Sequence, residues 1–163
     1  MYKKLFFIIA LSIGMFACKK NSSNYSCTPT TPTTIAPDSQ LVKLQTYLAG
    51  KGLMGIVTRH SNNFYYKIDN TGTGLTPNSC SNIVVTYQGK LTDDSEFAPE
   101  TSSIFILNQL LEGWQLGLPL IQKGGKIKLY LPPALGYGAT AQPGIPANSI
   151  LIFEITLNDV TNN

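Results

Sequence analysis

Apolar residues recur along this chain with more than one period, and the changes of period divide it. Residues 5–17 form an unbroken run of apolar and small side chains, whereas 19–36 show no apolar period and are rich in Asn, Ser, Thr and Pro. After Pro37, Leu41, Leu44, Tyr47 and Leu48 recur at helical spacing, with Asp38 or Ser39 available as a cap and Gly50 and Gly52 as a stop. Two strands are predicted over 53–59 and 64–68, joined by the polar turn His60-Ser61-Asn62-Asn63. The aromatic and β-branched content of the second fits a sheet edge. Residues 70–81 read as a loop, and Ile83-Val84-Val85-Thr86-Tyr87 as a mostly buried strand before Gly89 and an Asp93-Asp94-Ser95 turn. A loop over 98–104 leads to a short strand, Phe105-Ile106-Leu107, then to a short helix over 112–118 ended by Pro119. Gly124-Gly125 turns the chain into Lys126-Ile127-Lys128-Leu129-Tyr130-Leu131, which alternates with its lysines on the wet face, and 150–157 alternates in the same way. Strands with one polar face, over one short amphipathic helix, predict an α+β fold: an antiparallel β-sheet half-roll wrapped around one short α-helix, preceded by an N-terminal helix and a tether.

The first apolar run is too short for a comfortable membrane span and follows Lys3 and Lys4, the pattern of a signal peptide over 1–17. Met15-Phe16-Ala17-Cys18 resembles the lipobox of bacterial lipoproteins, with Met15 where Leu is preferred. The expectation is cleavage before Cys18 and its lipidation; ordinary secretion or an uncleaved anchor is the alternative. Several acyl chains on one residue give stable anchoring at roughly 0.8 kcal/mol per buried methylene. Residues 18–37 then form a Ser/Thr/Pro-rich tether and 38–163 the folded domain, of a size that can bury a core. The implied localisation is the bacterial cell envelope, with the membrane as a partner through the lipid.

Removing Lys3 and Lys4 leaves ten basic residues against nine acidic ones, so the exported chain is near neutral. No Lys/Arg stripe argues for nucleic acid. With Cys18 lipidated, Cys27 and Cys80 remain, and outside the cytoplasm two cysteines tend to pair. Such a disulfide pins the end of the tether to the domain. Neither a CxxC nor a Cys/His zinc spacing exists, and His60 is the single histidine, so metal, redox and cofactor chemistry are not expected.

The chemistry-bearing stretch centres on Leu110-Leu111-Glu112-Gly113-Trp114, which holds the single tryptophan. Around it, in order, stand Val84-Val85-Thr86-Tyr87-Gln88-Gly89, Phe97, Phe105-Ile106-Leu107 and Gly124-Gly125-Lys126-Ile127-Lys128-Leu129. Leu131-Pro132-Pro133 through Gly138, Pro143-Gly144-Ile145-Pro146-Ala147-Asn148-Ser149 and Leu151-Ile152-Phe153-Glu154 complete the series. Held in register over about 82–160, these motifs resemble the FKBP family of peptidyl-prolyl isomerases, and their spacing resembles the FKBP domains of bacterial envelope lipoproteins. The resemblance implies an apolar cleft for proline-containing polypeptides, with macrolides among its ligands and no cofactor. By position, Trp114 is the floor under the proline ring, with Tyr87 beside it. The Tyr137 hydroxyl and the Leu111 backbone N–H are donors to substrate carbonyls. Phe97, Phe105, Leu110, Ile145 and Phe153 line the binding surface. Plain core packing competes with each aromatic assignment, evenly so at Phe105 and Phe153, whereas Tyr137 sits in a glycine-flanked loop that favours the cleft.

Prolyl isomerisation breaks no bond. Its barrier is rotation about an amide, close to 20 kcal/mol, so a dry aromatic bowl that favours the twisted amide suffices, with one or two donors at carbonyls. One departure matters: where the family usually has Asp after Phe97, this chain has Ala98, and Glu96 or Glu100 would have to swing in to replace it. Gln142 occupies a position that varies in the family. Two function classes therefore stand: an isomerase that assists folding of envelope proteins, and a catalytically weak binding or chaperone module using the same cleft. An adhesion or carbohydrate-binding lipoprotein would require the motif register to be accidental.

Overall fold

In a computed structural model, residues 27–162 are described; the expected signal peptide and Cys18 lie outside them. Two α-helices, α1 (Asp38–Gly50) and α2 (Glu112–Gly117), accompany strands β1 (Thr58–Arg59), β2 (Tyr65–Asn70), β3 (Asn82–Lys90), β4 (Glu96–Ile106), β5 (Lys126–Leu131) and β6 (Leu151–Thr161). The strands form one antiparallel sheet in the order β1-β2-β5-β6-β3-β4.

The period-2 strands explain the layering. Ile127, Leu129 and Leu131 of β5 and Leu151, Phe153, Ile155 and Leu157 of β6 point to the face that α2 covers, together with Ile83, Val85 and Trp114. The residues between them point the other way. Tyr130 and Ile152 meet Leu41, Leu44 and Leu48 of α1 with Tyr65 of β2, and Lys128 of β5 bonds Glu154 of β6 at 2.5 Å. The sheet thus carries a helix on each face, and the apolar spacing within α1 is what lets it dock on the second. Leu44 and Leu48 are fully buried there, worth about 2 kcal/mol each by area. α2 approaches its own face closely enough that a Cβ on Gly113 would lie 2.4 Å from Leu131 Cδ1.

Several expectations need correction. The strand over 53–59 is realised only at Thr58 and Arg59. Gly52 takes a positive φ of 69°, Leu53 N–H donates back to Leu48 O, and Ile56 N–H to Leu53 O, so turns run through most of the segment. β2 is not the sheet edge, because β1 pairs outside it. The loop over 98–104 is strand: β4 runs unbroken from Glu96 to Ile106, held along β3 from Lys90 to Asn82. The described part of the tether is not free. Cys27 is disulfide-bonded to Cys80 with Cα atoms 5.8 Å apart. Thr30 N–H donates to Ser79 Oγ and Asn62 Nδ2 to Thr34 O, and Ala36 is 1% exposed in the core. Among the described residues no helix is long and apolar enough to cross a membrane.

Candidate active site

α2 is one and a half turns long and sets the indole of Trp114 on the sheet. Three rings stand around it, nearly perpendicular: Phe153 at a centroid distance of 5.1 Å and 85°, Tyr87 at 5.2 Å and 81°, Phe105 at 6.3 Å and 89°. Phe97 extends the wall from Phe153 at 5.5 Å and 85°. Edge-to-face pairing is the preferred arrangement of such rings, worth about 0.5–1.5 kcal/mol per pair beyond area. The strands explain the convergence: Tyr87 comes from β3, Phe97 and Phe105 from the two ends of β4, and Phe153 from β6 between β5 and β3. Gly89 is required here, since a Cβ on it would sit 2.4 Å from Phe97 Cε2.

The floor is buried and the walls are half-buried. Trp114 is 4% exposed, Phe153 3% and Ile145 6%, so these three also serve the core. Tyr87, Phe97, Phe105, Leu110 and Leu111 are half-buried at the rim. Tyr137 is 38% exposed, next to Gly138 with φ 59°. Of the nine positions expected to form the cleft, Tyr87, Phe97, Phe105, Leu110, Leu111, Trp114, Ile145 and Phe153 belong to one packed cluster, and Tyr137 lies outside it.

The polar tips are unusual. The Tyr87 and Tyr137 hydroxyls and the Leu111 N–H make no hydrogen bond among the described residues, and the Trp114 Nε1–H is buried without a partner. Most buried polar groups are satisfied, so the unpartnered indole N–H is an exception. Glu112 Oε2, on the same helix, is also buried without a partner, but no carboxylate follows Phe97. Ala98 pairs across β3 with Gly89. Glu96 cannot take the missing Asp's place while its carboxylate accepts from Gln88 Nε2 at 2.7 Å and lies 3.4 Å from Lys90 Nζ. Among the described residues no cluster of His, Cys, Asp and Glu could hold a metal ion.

One contact carried no signal in the sequence. Gln40 of α1 accepts a 2.9 Å hydrogen bond from the N–H of Ala134, just ahead of Tyr137. A polar residue on the flank of an amphipathic helix reads as a solvated position.

A half-rolled antiparallel sheet, wrapped on a short helix whose tryptophan floors an aromatic bowl, is the architecture of a prolyl isomerase domain. The chain belongs to the family described as FKBP-type peptidyl-prolyl cis-trans isomerase, whose model matches residues 74–158. It is similar to the FKBP-type peptidyl-prolyl cis-trans isomerase FkpA of Escherichia coli K12, 41% identical over 108 residues, covering 64% of this chain and 40% of that protein. The FkpA of Buchnera aphidicola subsp. Schizaphis graminum is 40% identical over 129 residues, covering 75% and 50%. The chain thus spans half or less of the length of these relatives. The crystal structure of E. coli FkpA superposes with a TM-score of 0.68 at 36% identity, over 76% of this chain and 60% of that one. A peptidyl-prolyl cis-trans isomerase from Pseudomonas syringae pv. tomato superposes at 0.66 and 28% identity, over 79% and 99%.

Proposed function

We propose that this chain catalyses cis-trans isomerisation of X-Pro bonds in polypeptides of the bacterial envelope and so assists their folding. The observation that supports this most is the indole of Trp114, walled by three perpendicular rings. A proline ring entering the bowl leaves water, and the loss of solvation penalises the planar, more polar amide more than the twisted one. The Tyr137 hydroxyl and the Leu111 N–H then bond substrate carbonyls, and tenfold in rate requires only about 1.4 kcal/mol of preference for the twisted form. Macrolides that mimic the twisted amide are ligands of the same bowl. Lipid on Cys18 holds the domain at the membrane. The Cys27–Cys80 disulfide supports an oxidising compartment, in keeping with an envelope location.

Acceleration of a proline-limited refolding reaction tests the reading. Wild type speeds the slow phase, and Trp114→Leu loses most of that speed while still refolding itself. A wild-type chain with no effect on the slow phase removes the isomerase reading. The second reading, a weakly catalytic binding module, draws on Ala98: the cleft lacks the carboxylate that the family usually places there. If wild type is inactive and Ala98→Asp acquires activity, this second reading is the right one.

A further inference from the structure

We propose that Gln40 is a positioning residue for the cleft: its side-chain amide, reaching from α1, holds the turn that carries Tyr137. The inference rests on the role given to Tyr137 above. The turn has a specific deficit. Pro132 and Pro133 bring no N–H, Leu135 N–H donates to Pro132 O, and Gly136 and Gly138 both donate to Pro133 O. Ala134 is left with the first free donor of the turn and no upstream carbonyl to receive it. Gln40 Oε1 receives it at 2.9 Å, across 94 residues of chain. The bond is part-buried, and pairing this donor favours one placement of the turn.

The bond spans open space. A groove of about 490 Å³, lined among others by Ser39, Lys43, Leu91, Pro133 and Pro146, runs between α1 and the loops around the cleft. Among the described residues, Gln40 to Ala134 is the single hydrogen bond that crosses from α1 to residues 133–149. The rest of α1 is fastened elsewhere: its leucines pack on Tyr65, Tyr130 and Ile152, and Gln45 Nε2 bonds the Tyr65 hydroxyl. α1 is therefore anchored to the sheet and extends one strut to the Tyr137 turn. Gln40 lies outside the 74–158 segment that the family model matches, so the strut is supplied by sequence the family model does not include.

The test uses the full exported chain as wild type, Gln40→Ala, Gln40→Glu, Tyr137→Phe, the double variant Gln40→Ala/Tyr137→Phe, and Gln45→Ala as a control on the same helix. Isomerase kcat and KM are measured on a prolyl peptide, and peptide affinity is read from the fluorescence of Trp114. Gln40→Ala lowers kcat roughly two- to tenfold, the worth of one neutral hydrogen bond, with KM changing less. Gln40→Glu, which keeps the acceptor, and Gln45→Ala match wild type. In the Tyr137→Phe background Gln40→Ala adds nothing, because the hydroxyl it positions is gone. Unchanged kcat in Gln40→Ala overturns the proposal, as does an equal loss in the Tyr137→Phe background. Should wild type show no acceleration, the isomerase reading falls on its own, and the fluorescence titration decides the strut. The same pattern in peptide affinity upholds it; equal affinities in wild type and Gln40→Ala overturn it.

Discussion

The two faces of the sheet bury similar side chains to opposite ends. On the α1 face, leucines meet Tyr65, Tyr130 and Ile152, and the Tyr65 hydroxyl accepts a bond from Gln45 at 3.0 Å. On the α2 face, Tyr87 and Trp114 lie edge-to-face at 5.2 Å, yet neither the phenol nor the indole N–H has a partner in the described chain. Apolar burial is comparable; what differs is that the α2 face holds a buried indole N–H without a partner. A buried donor left without a partner is exceptional, and the one packed on this sheet among the described residues, the Trp114 Nε1–H, lies on the α2 face.

That contrast can be broken or sharpened by experiment. The largest effect is expected from Leu48→Ala on the α1 face: a fully buried leucine lost there costs about 2–5 kcal/mol of stability by urea denaturation, while kcat of the folded fraction stays at the wild-type value. A matching fall in kcat would mean that the two faces are not separable. Next comes Tyr137→Phe on the other side. Its side chain is 38% exposed, so stability holds, while kcat/KM falls roughly five- to tenfold for the loss of about 1 kcal/mol of hydrogen bonding. Unaltered turnover removes Tyr137 from the chemistry.

The smallest effect is a pH dependence confined to the α1 face. Burial first, then the charges of Tyr47 and Glu154, pushes the Tyr130 phenol up from 10.0 to about 12. The folded pKa is raised, so the stability tied to the neutral phenol is complete below pH 10 and is lost as pH rises towards 12. Wild type should lose urea resistance across that window more steeply than Tyr130→Phe. Equal slopes would show that the phenol is not held in the dry cluster.

How much of this was readable beforehand varies with the physics of each segment. β5 and β6 announce themselves because one face is wet and the other dry, so alternation survives in their letters. The Trp114 bowl was legible through the resemblance, since its walls come from strands far apart in sequence and no local pattern links Tyr87 to Phe153. β4 was misread over 98–104 because Pro99, Glu100, Thr101, Ser102 and Ser103 look like a loop. What makes them strand is pairing with β3, a tertiary fact, and the position at the sheet edge, where a proline is tolerated. Residues 53–59 erred in the other direction: Leu53 and Val57 are apolar because they pack beside α1, not because they alternate. The reach of Gln40 to Ala134 had no trace at all, since an amide on a helix flank is equally at home in water.

The disulfide carries a mechanical consequence. Because Cys27 is bonded to Cys80 across 53 positions, tension applied upstream of Cys27 enters the domain at the root of β3. The intervening span, α1 included, is a closed loop off the load path. Pulling on the leader of the oxidised chain therefore leaves α1 unstressed, whereas in the reduced chain the same pull runs straight through that helix.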